Sequence, residues 1–286
     1  MSPCSRWLPF VAFLMVACFS STALAQSEEK AFPDREEGPT TAQLGSQAII
    51  TVPEGYVFLG PKSAARFMEL TQNIPSGREA GIILKKGDGE SWFAVFEYVD
   101  AGHVDDSDRS DLDADGLLKT LKAGNERGNE MRRERGWQEL QLVGWFKPPH
   151  YDTATNNLTW ATTIQVENEK TVNHSVRLLG REGYFNADLV VSTEDAAAAT
   201  ANFSQLLGGF EYVAGQRYSE FRRGDRVAEL GLVALVAGGA GAAAAKSGLL
   251  GKAWKAIVFG VLAVFAFLKR LVNGLLGRNQ QQEQTA

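Results

Sequence analysis

Cysteine is almost absent from this chain. It has two, Cys4 and Cys18. Both lie in an N-terminal stretch built like a secretory signal: Arg6 as a short positive region, an apolar run from Leu8 to Phe19, and the small-x-small site Ala23-Leu24-Ala25. Residues 1–25 are expected to be a signal peptide, leaving Gln26 as the mature N-terminus. An uncleaved anchor, or a lipoprotein signal ending in Met15-Val16-Ala17-Cys18, are the alternatives. A mature chain without thiols excludes a disulfide framework, a thiolate nucleophile and a cysteine-based metal site. Histidine is scarce as well. His103, His150 and His174 are not spaced as H-x-H or H-E-x-x-H, so no zinc site is expected. There is no G-x-S-x-G, no P-loop and no G-x-G-x-x-G after a strand, and no cofactor is implied.

What is present divides by charge. Residues 26–226 carry 22 Lys and Arg against 32 Asp and Glu, a net of -10, while residues 227–286 carry six against two, a net of +4. An acidic body repels phosphate backbones, so nucleic acid is not an expected partner. A basic tail beside apolar runs suits an anionic membrane surface.

In order, residues 26–46 read as a flexible acidic lead-in and 47–222 as an extracytoplasmic domain. Strands are expected at Ala48 to Val52, Tyr56 to Leu59, Gly81 to Leu84 and Trp92 to Val99, with a Gly87-Asp88-Gly89 turn before the last. A helix is expected from Ala64 to Thr71. A second, from Ala114 to about Arg135, has Leu117, Leu118 and Leu121 on its apolar face and a polar second half expected to project into solvent. Four strands follow, Glu139 to Phe146, Leu158 to Val166, Val172 to Leu179 and Tyr184 to Val191. Hairpin-length breaks, the first at Pro148-Pro149, imply an antiparallel meander. A last helix spans Glu194 to Leu207, and Phe210 to Phe221 reads as a possible final strand. The fold class is α+β, a mainly antiparallel sheet flanked by helices, plus a C-terminal transmembrane helix or helical hairpin.

Two stretches could carry chemistry. Asp111, Asp113 and Asp115, in D-x-D-x-D-G, match the first half of a calcium loop, but the twelfth position, which needs a bidentate acid, is Lys122. The plainer reading is that these acids cap the following helix. His150, Tyr151 and Asp152 follow two prolines. They could supply an acid–base pair, or form a rigid corner in which Asp152 makes an Asx turn and Tyr151 packs on the sheet. Trp92, Trp137, Trp145 and Trp160 read as core or cross-strand residues rather than a ligand platform.

Residues 227–270 read as a membrane anchor and 271–286 as a polar tail. The anchor has two apolar runs, Leu230 to Ala245 and Ala256 to Leu268, split by Lys246, Lys252 and Lys255. Each run alone is shorter than the roughly 20 residues of a spanning helix. A hairpin of two helices and a single span over Gly248 to Leu268 both remain open, and the plainer reading of the first run is a buried linker helix. Ala237, Gly241 and Ala245 are spaced for close helix packing, within the hairpin or between copies.

Trp145, Pro148-Pro149-His150-Tyr151-Asp152, Leu158-Thr159-Trp160-Ala161, Val176 to Arg181, Gly183, Gly215-Gln216-Arg217-Tyr218, Phe221 and Val227-Ala228-Glu229 together resemble the bacterial family of predicted membrane-anchored proteins called domain of unknown function 2167. The resemblance implies an envelope protein with a signal peptide and C-terminal membrane helices, and brings no activity or catalytic residue. The order of helices and strands is also similar to envelope and lumenal domains of the PsbP and Mog1 type, a likeness of fold alone. The expectation is a protein of the bacterial cytoplasmic membrane with its main domain facing the periplasm. Its partners would be the lipid bilayer and another envelope protein, bound as by a binding or scaffold module.

Overall fold

The computed structural model describes residues 32–238, except 72, 74, 87–91 and 135. The expected signal peptide, the expected Gly87-Asp88-Gly89 turn, Gly241, Ala245 and the rest of the apolar stretch from 239 lie outside the described residues. Among those described, no helix is long and apolar enough to cross a membrane.

The elements run β1 (Arg35–Glu37), β2 (Thr40–Leu44), β3 (Ala48–Val52), β4 (Tyr56–Leu59), α1 (Pro61–Leu70), β5 (Glu79–Lys85), β6 (Trp92–Val99), α2 (Ala114–Glu134), β7 (Gln141–Asp152), β8 (Asn157–Val166), β9 (Glu169–Leu179), β10 (Tyr184–Ser192), α3 (Ala196–Leu207), β11 (Phe210–Tyr212) and α4 (Leu232–Val236). One sheet has the order β1-β4-β5-β6-β10-β9-β8-β7, and a smaller one has β11-β3-β2. Neighbours pair antiparallel, and β7 to β10 form the expected meander. The α+β class and the antiparallel sheet follow.

Alternation along the strands decides the layers. One face of the large sheet presents Phe96, Phe185, Leu189 and Val176 to the small sheet (Leu44, Ile50) and to Phe203 of α3. On the other face α1 covers Ile82, Phe93 and Val95, with Phe67 edge-on to Phe93 at 5.2 Å. The far end of that face is covered by the 100–113 loop, Leu117 of α2, and Leu232 and Leu235 of α4, packed on Leu158, Trp160 and Leu179.

Four expectations are corrected. The lead-in is not flexible throughout, since residues 35–37 and 40–44 are strands and Ala42 and Leu44 are buried. Its acidic and hydroxyl residues masked a short alternating stretch. Pro148-Pro149 is not a break. β7 runs through it to Asp152, with a register shift between Lys147 and His150. β7 is an edge strand, where residues without an N–H are tolerated at bulges. The second half of α2 does not project into solvent: Gly124, Asn125, Gly128, Asn129 and Arg132 are buried. Asn125 and Asn129 donate to the Leu140 carbonyl, both at 2.8 Å, and their side-chain oxygens accept from the N–H groups of Leu142 and Leu140 at 2.7 and 2.9 Å. The amides satisfy backbone groups at the edge of the sheet. Finally, β11 ends at Tyr212 rather than running to Phe221.

Candidate functional site

After β11 the chain becomes a strap that crosses the 180–183 turn and the 100–108 loop. Arg181 grips Asp225 with two hydrogen bonds, at 2.7 and 2.8 Å. This Arg181 contact, together with the Arg222 N–H, holds the Asp225 carboxyl down at about 2. His103 lies between two rings, stacked on Tyr218 at 4.3 Å and on Phe221 at 4.1 Å. Its N–H donates to the Arg226 carbonyl and its carbonyl accepts from Ala228, both at 2.8 Å. Gly102 makes room for this contact: its φ is +90°, and a Cβ there would sit 2.8 Å from the Arg226 oxygen. Further on, the Asp108 carboxylate accepts from the N–H groups of Leu232 and Val233 at 3.0 and 3.1 Å. One acid of the loop thus caps α4.

A cleft of about 510 Å³ opens beside the strap. Thr155, Asn156 and Asn157 of the β7–β8 turn form one side, and Arg217, Tyr218 and Ser219 form the other. Leu178, Leu207 and Phe210 add apolar surface. Asn156 adopts φ 54°, the left-handed conformation asparagine tolerates in tight turns. Tyr151 reaches toward this region from below, with its hydroxyl 3.5 Å from Asn156 Oδ1. The Tyr218 hydroxyl donates to the Val104 carbonyl at 2.9 Å. Burial, with Asp106 and Asp105 nearby, pushes Tyr218 up to about 12. Burial first, then Tyr218 and Asp106, also pushes Tyr151 up. Both phenols are therefore neutral hydrogen-bonding groups at neutral pH, not bases or nucleophiles.

The residues singled out from sequence separate here. Strand alternation puts His150 and Asp152 on one face of β7 and the buried Tyr151 on the other. Asp152 accepts from the Ala154 N–H and the Thr155 hydroxyl, both at 2.9 Å, which is the Asx-turn arrangement. These bonds hold its carboxyl below the usual range and make it a poorer base. Tyr151 instead feels the acidic loop, where Asp106 helps push its pKa up. In the candidate calcium loop, Asp113 Oδ1 accepts from the Asp115 N–H at 3.2 Å at the start of α2, and Asp111 Oδ1 accepts from the Ser110 hydroxyl at 3.2 Å. Among the described residues, no group of three His, Asp or Glu side chains converges to hold a metal ion.

A second cluster, not found from the sequence, lies on the α1 side of the large sheet. Glu97 is buried, accepting from the Ser76 hydroxyl at 2.6 Å and the Asn186 amide at 3.2 Å. Burial pushes its carboxyl up, against those two hydrogen bonds. Across β10 and β9, Asp188 pairs with Arg177 at 3.0 Å, and the Arg177 guanidinium lies 4.6 Å from the Trp160 ring centre. Arg78 contributes positive charge to Glu97, and its Nε and Nη2 are buried without a hydrogen-bond partner. The available signal was the pair Asn186 and Asp188, and likewise Ser175 and Arg177, at i and i+2 within apolar strands. That spacing puts polar groups on one face of the sheet.

Comparison with known proteins adds the following. No curated protein matches the chain. Similar solved structures include the following two. Cyanobacterial PsbP (CyanoP) from Synechocystis sp. PCC 6803 is 10% identical, with a TM-score of 0.36 over 62% of this chain and 91% of that one. The Saccharomyces cerevisiae Ran-binding protein Mog1p is 13% identical, with a TM-score of 0.32 over 65% of this chain and 100% of that one. At these scores neither carries a functional argument. The family model described as protein of unknown function (DUF2167) matches residues 36–269, and the chain belongs to that family.

Proposed function

We propose that this chain is a membrane-anchored envelope protein whose acidic α+β domain is a binding module, with the cleft beside the strap as its binding site. One observation carries the binding reading. The cleft offers an arginine, amides, hydroxyls, apolar walls and the exposed Glu211 carboxylate, while the tyrosines and Asp225 around it are already committed. Tyr151 and Tyr218 are held neutral, and Asp225 is locked to Arg181. Such a lining fixes and orients a ligand, and the committed tyrosines and Asp225 are not free to act as base or nucleophile. The anchored reading is supported by the signal-like N-terminus and by the apolar stretch, which the family match includes as far as residue 269. The test is a photocrosslinking residue at Ser219, introduced into the chain in its bacterial host, with external protease added to spheroplasts. One reproducible adduct with an envelope component, lost in the Arg217→Glu variant, together with cleavage of the domain from outside, is the expected result. A domain protected from the protease, or a cleft that captures nothing, overturns the proposal.

A further inference from the structure

Residues 217–227 invert the charge of the domain around them. Arg217, Arg222, Arg223 and Arg226 lie within ten residues, in a body that carries ten more acids than bases. The two acids among them are engaged: Glu220 accepts from the N–H groups of Gly215 and Arg217, each at 2.8 Å, and Asp225 holds Arg181. Arg226 pairs with Asp100. Arg222 and Arg223 are exposed, and neither makes an ion pair among the described residues. Between these arginines, Phe221 is 38% exposed and Val227 51% exposed, two of four large exposed hydrophobic residues in the described chain. Arginines interleaved with exposed apolar side chains suit an interface where headgroup phosphates meet acyl chains. The loop also sits just ahead of the apolar stretch.

From this we propose that the 221–227 loop is a docking surface for an anionic lipid bilayer, and that it sets how the domain stands on the membrane. The proposal rests on the anchored reading for its geometry. The rest of the domain is acidic and is repelled by an anionic surface, so this loop is the face that turns toward lipid. Because Arg217, Tyr218 and Ser219 belong to the same strap, docking places the cleft beside the membrane. Each arginine strengthens such docking on the order of fivefold at low salt.

The test uses the full chain, with Cys4 and Cys18 replaced by Ser, reconstituted in phosphatidylcholine vesicles with and without phosphatidylglycerol. A nitroxide is placed at Val227→Cys or, separately, at Val264→Cys, and its depth is read from accessibility to oxygen and to a water-soluble nickel chelate. A Val227 label that is immersed with phosphatidylglycerol, and returns to water in R222E/R223E or in pure phosphatidylcholine, is expected. A Val227 label that stays in water with phosphatidylglycerol, or is equally immersed in both vesicle types and in the variant, overturns the docking surface. The Val264 label reads the anchor separately. If it is immersed while Val227 stays in water, docking fails and the anchored reading stands. If it lies in water, the anchored reading fails, and the Val227 label still decides docking. Arg222 and Arg223 project into solvent, so an unchanged melting temperature certifies the variant's fold.

Discussion

At the scale of the residue, the informative groups are ionisable side chains placed inside the sheet. His174 is 7% exposed, against Phe203 and Thr200 of α3. Burial lowers its pKa from 6.5 to about 4, with Lys147 lowering it further and Asp188 opposing. Above pH 6.5 the ring is neutral in both folded and unfolded chains and costs nothing. As the pH falls from 6.5 toward 4, the unfolded chain takes up the proton and the folded chain does not. Stability is then lost by up to about 3 kcal/mol. Glu97 acts with the opposite sign. Its folded pKa is raised, so its contribution is full below its ordinary value and fades as the pH rises. Replacing His174 with Gln is expected to flatten the fall in melting temperature between pH 6.5 and 4. An unchanged slope would assign that loss to other groups. None of this was read from the sequence, because a polar residue in an apolar strand looks alike whether it meets solvent or another polar group. Only the pairing Asn186↔Glu97 and Asn186↔Arg177 brings these particular groups together.

At the scale of the element, pattern predicted existence and type well and surroundings less well. Trp92–Val99 was legible to the residue, because seven of its eight residues are aromatic, β-branched or small, which leaves few alternatives. The polar half of α2 was legible as helix and misread as solvated. The stripe Leu117, Leu121, Asn125, Asn129 has the four-residue spacing of a buried face, but its second half is amide rather than apolar. Those amides serve backbone groups of Leu140 and Leu142, which no periodicity encodes. Asn125→Ala leaves the Leu140 carbonyl with Asn129 alone and strips the Leu142 N–H of its partner. The expected cost is about 1–3 kcal/mol, read as a lower denaturation midpoint with an unchanged slope. Asn125→Asp should do comparable harm, since a carboxylate cannot donate to the carbonyl. If both variants match the parent, water serves those groups as well as the amide does.

At the scale of the whole molecule, the boundary between the domain and the proposed anchor is the point on which sequence and structure part. Hydropathy alone cannot tell a stretch that enters a bilayer from one that returns to a protein core, so 230–245 read as a single run. Its first part belongs to the domain. Leu232, Leu235 and Val236 are buried among Val104, Leu158, Trp160 and Leu179, and Asp108 caps the turn they sit on. Asp108 thus ties α4 to the same loop that carries His103. This packing makes residues 232–236 part of the domain's core. Leu232→Ala and Leu235→Ala should each cost about 2–5 kcal/mol by emptying space that the sheet cannot refill. For a domain of this size that lowers the melting temperature on the order of 10 °C. The measurement is thermal unfolding of the full chain, followed by tryptophan fluorescence, beside its partition into the membrane fraction. Lower melting with unchanged partition places these leucines in the domain. Unchanged melting with lost partition would return them to the anchor and leave the strap without its last fastening.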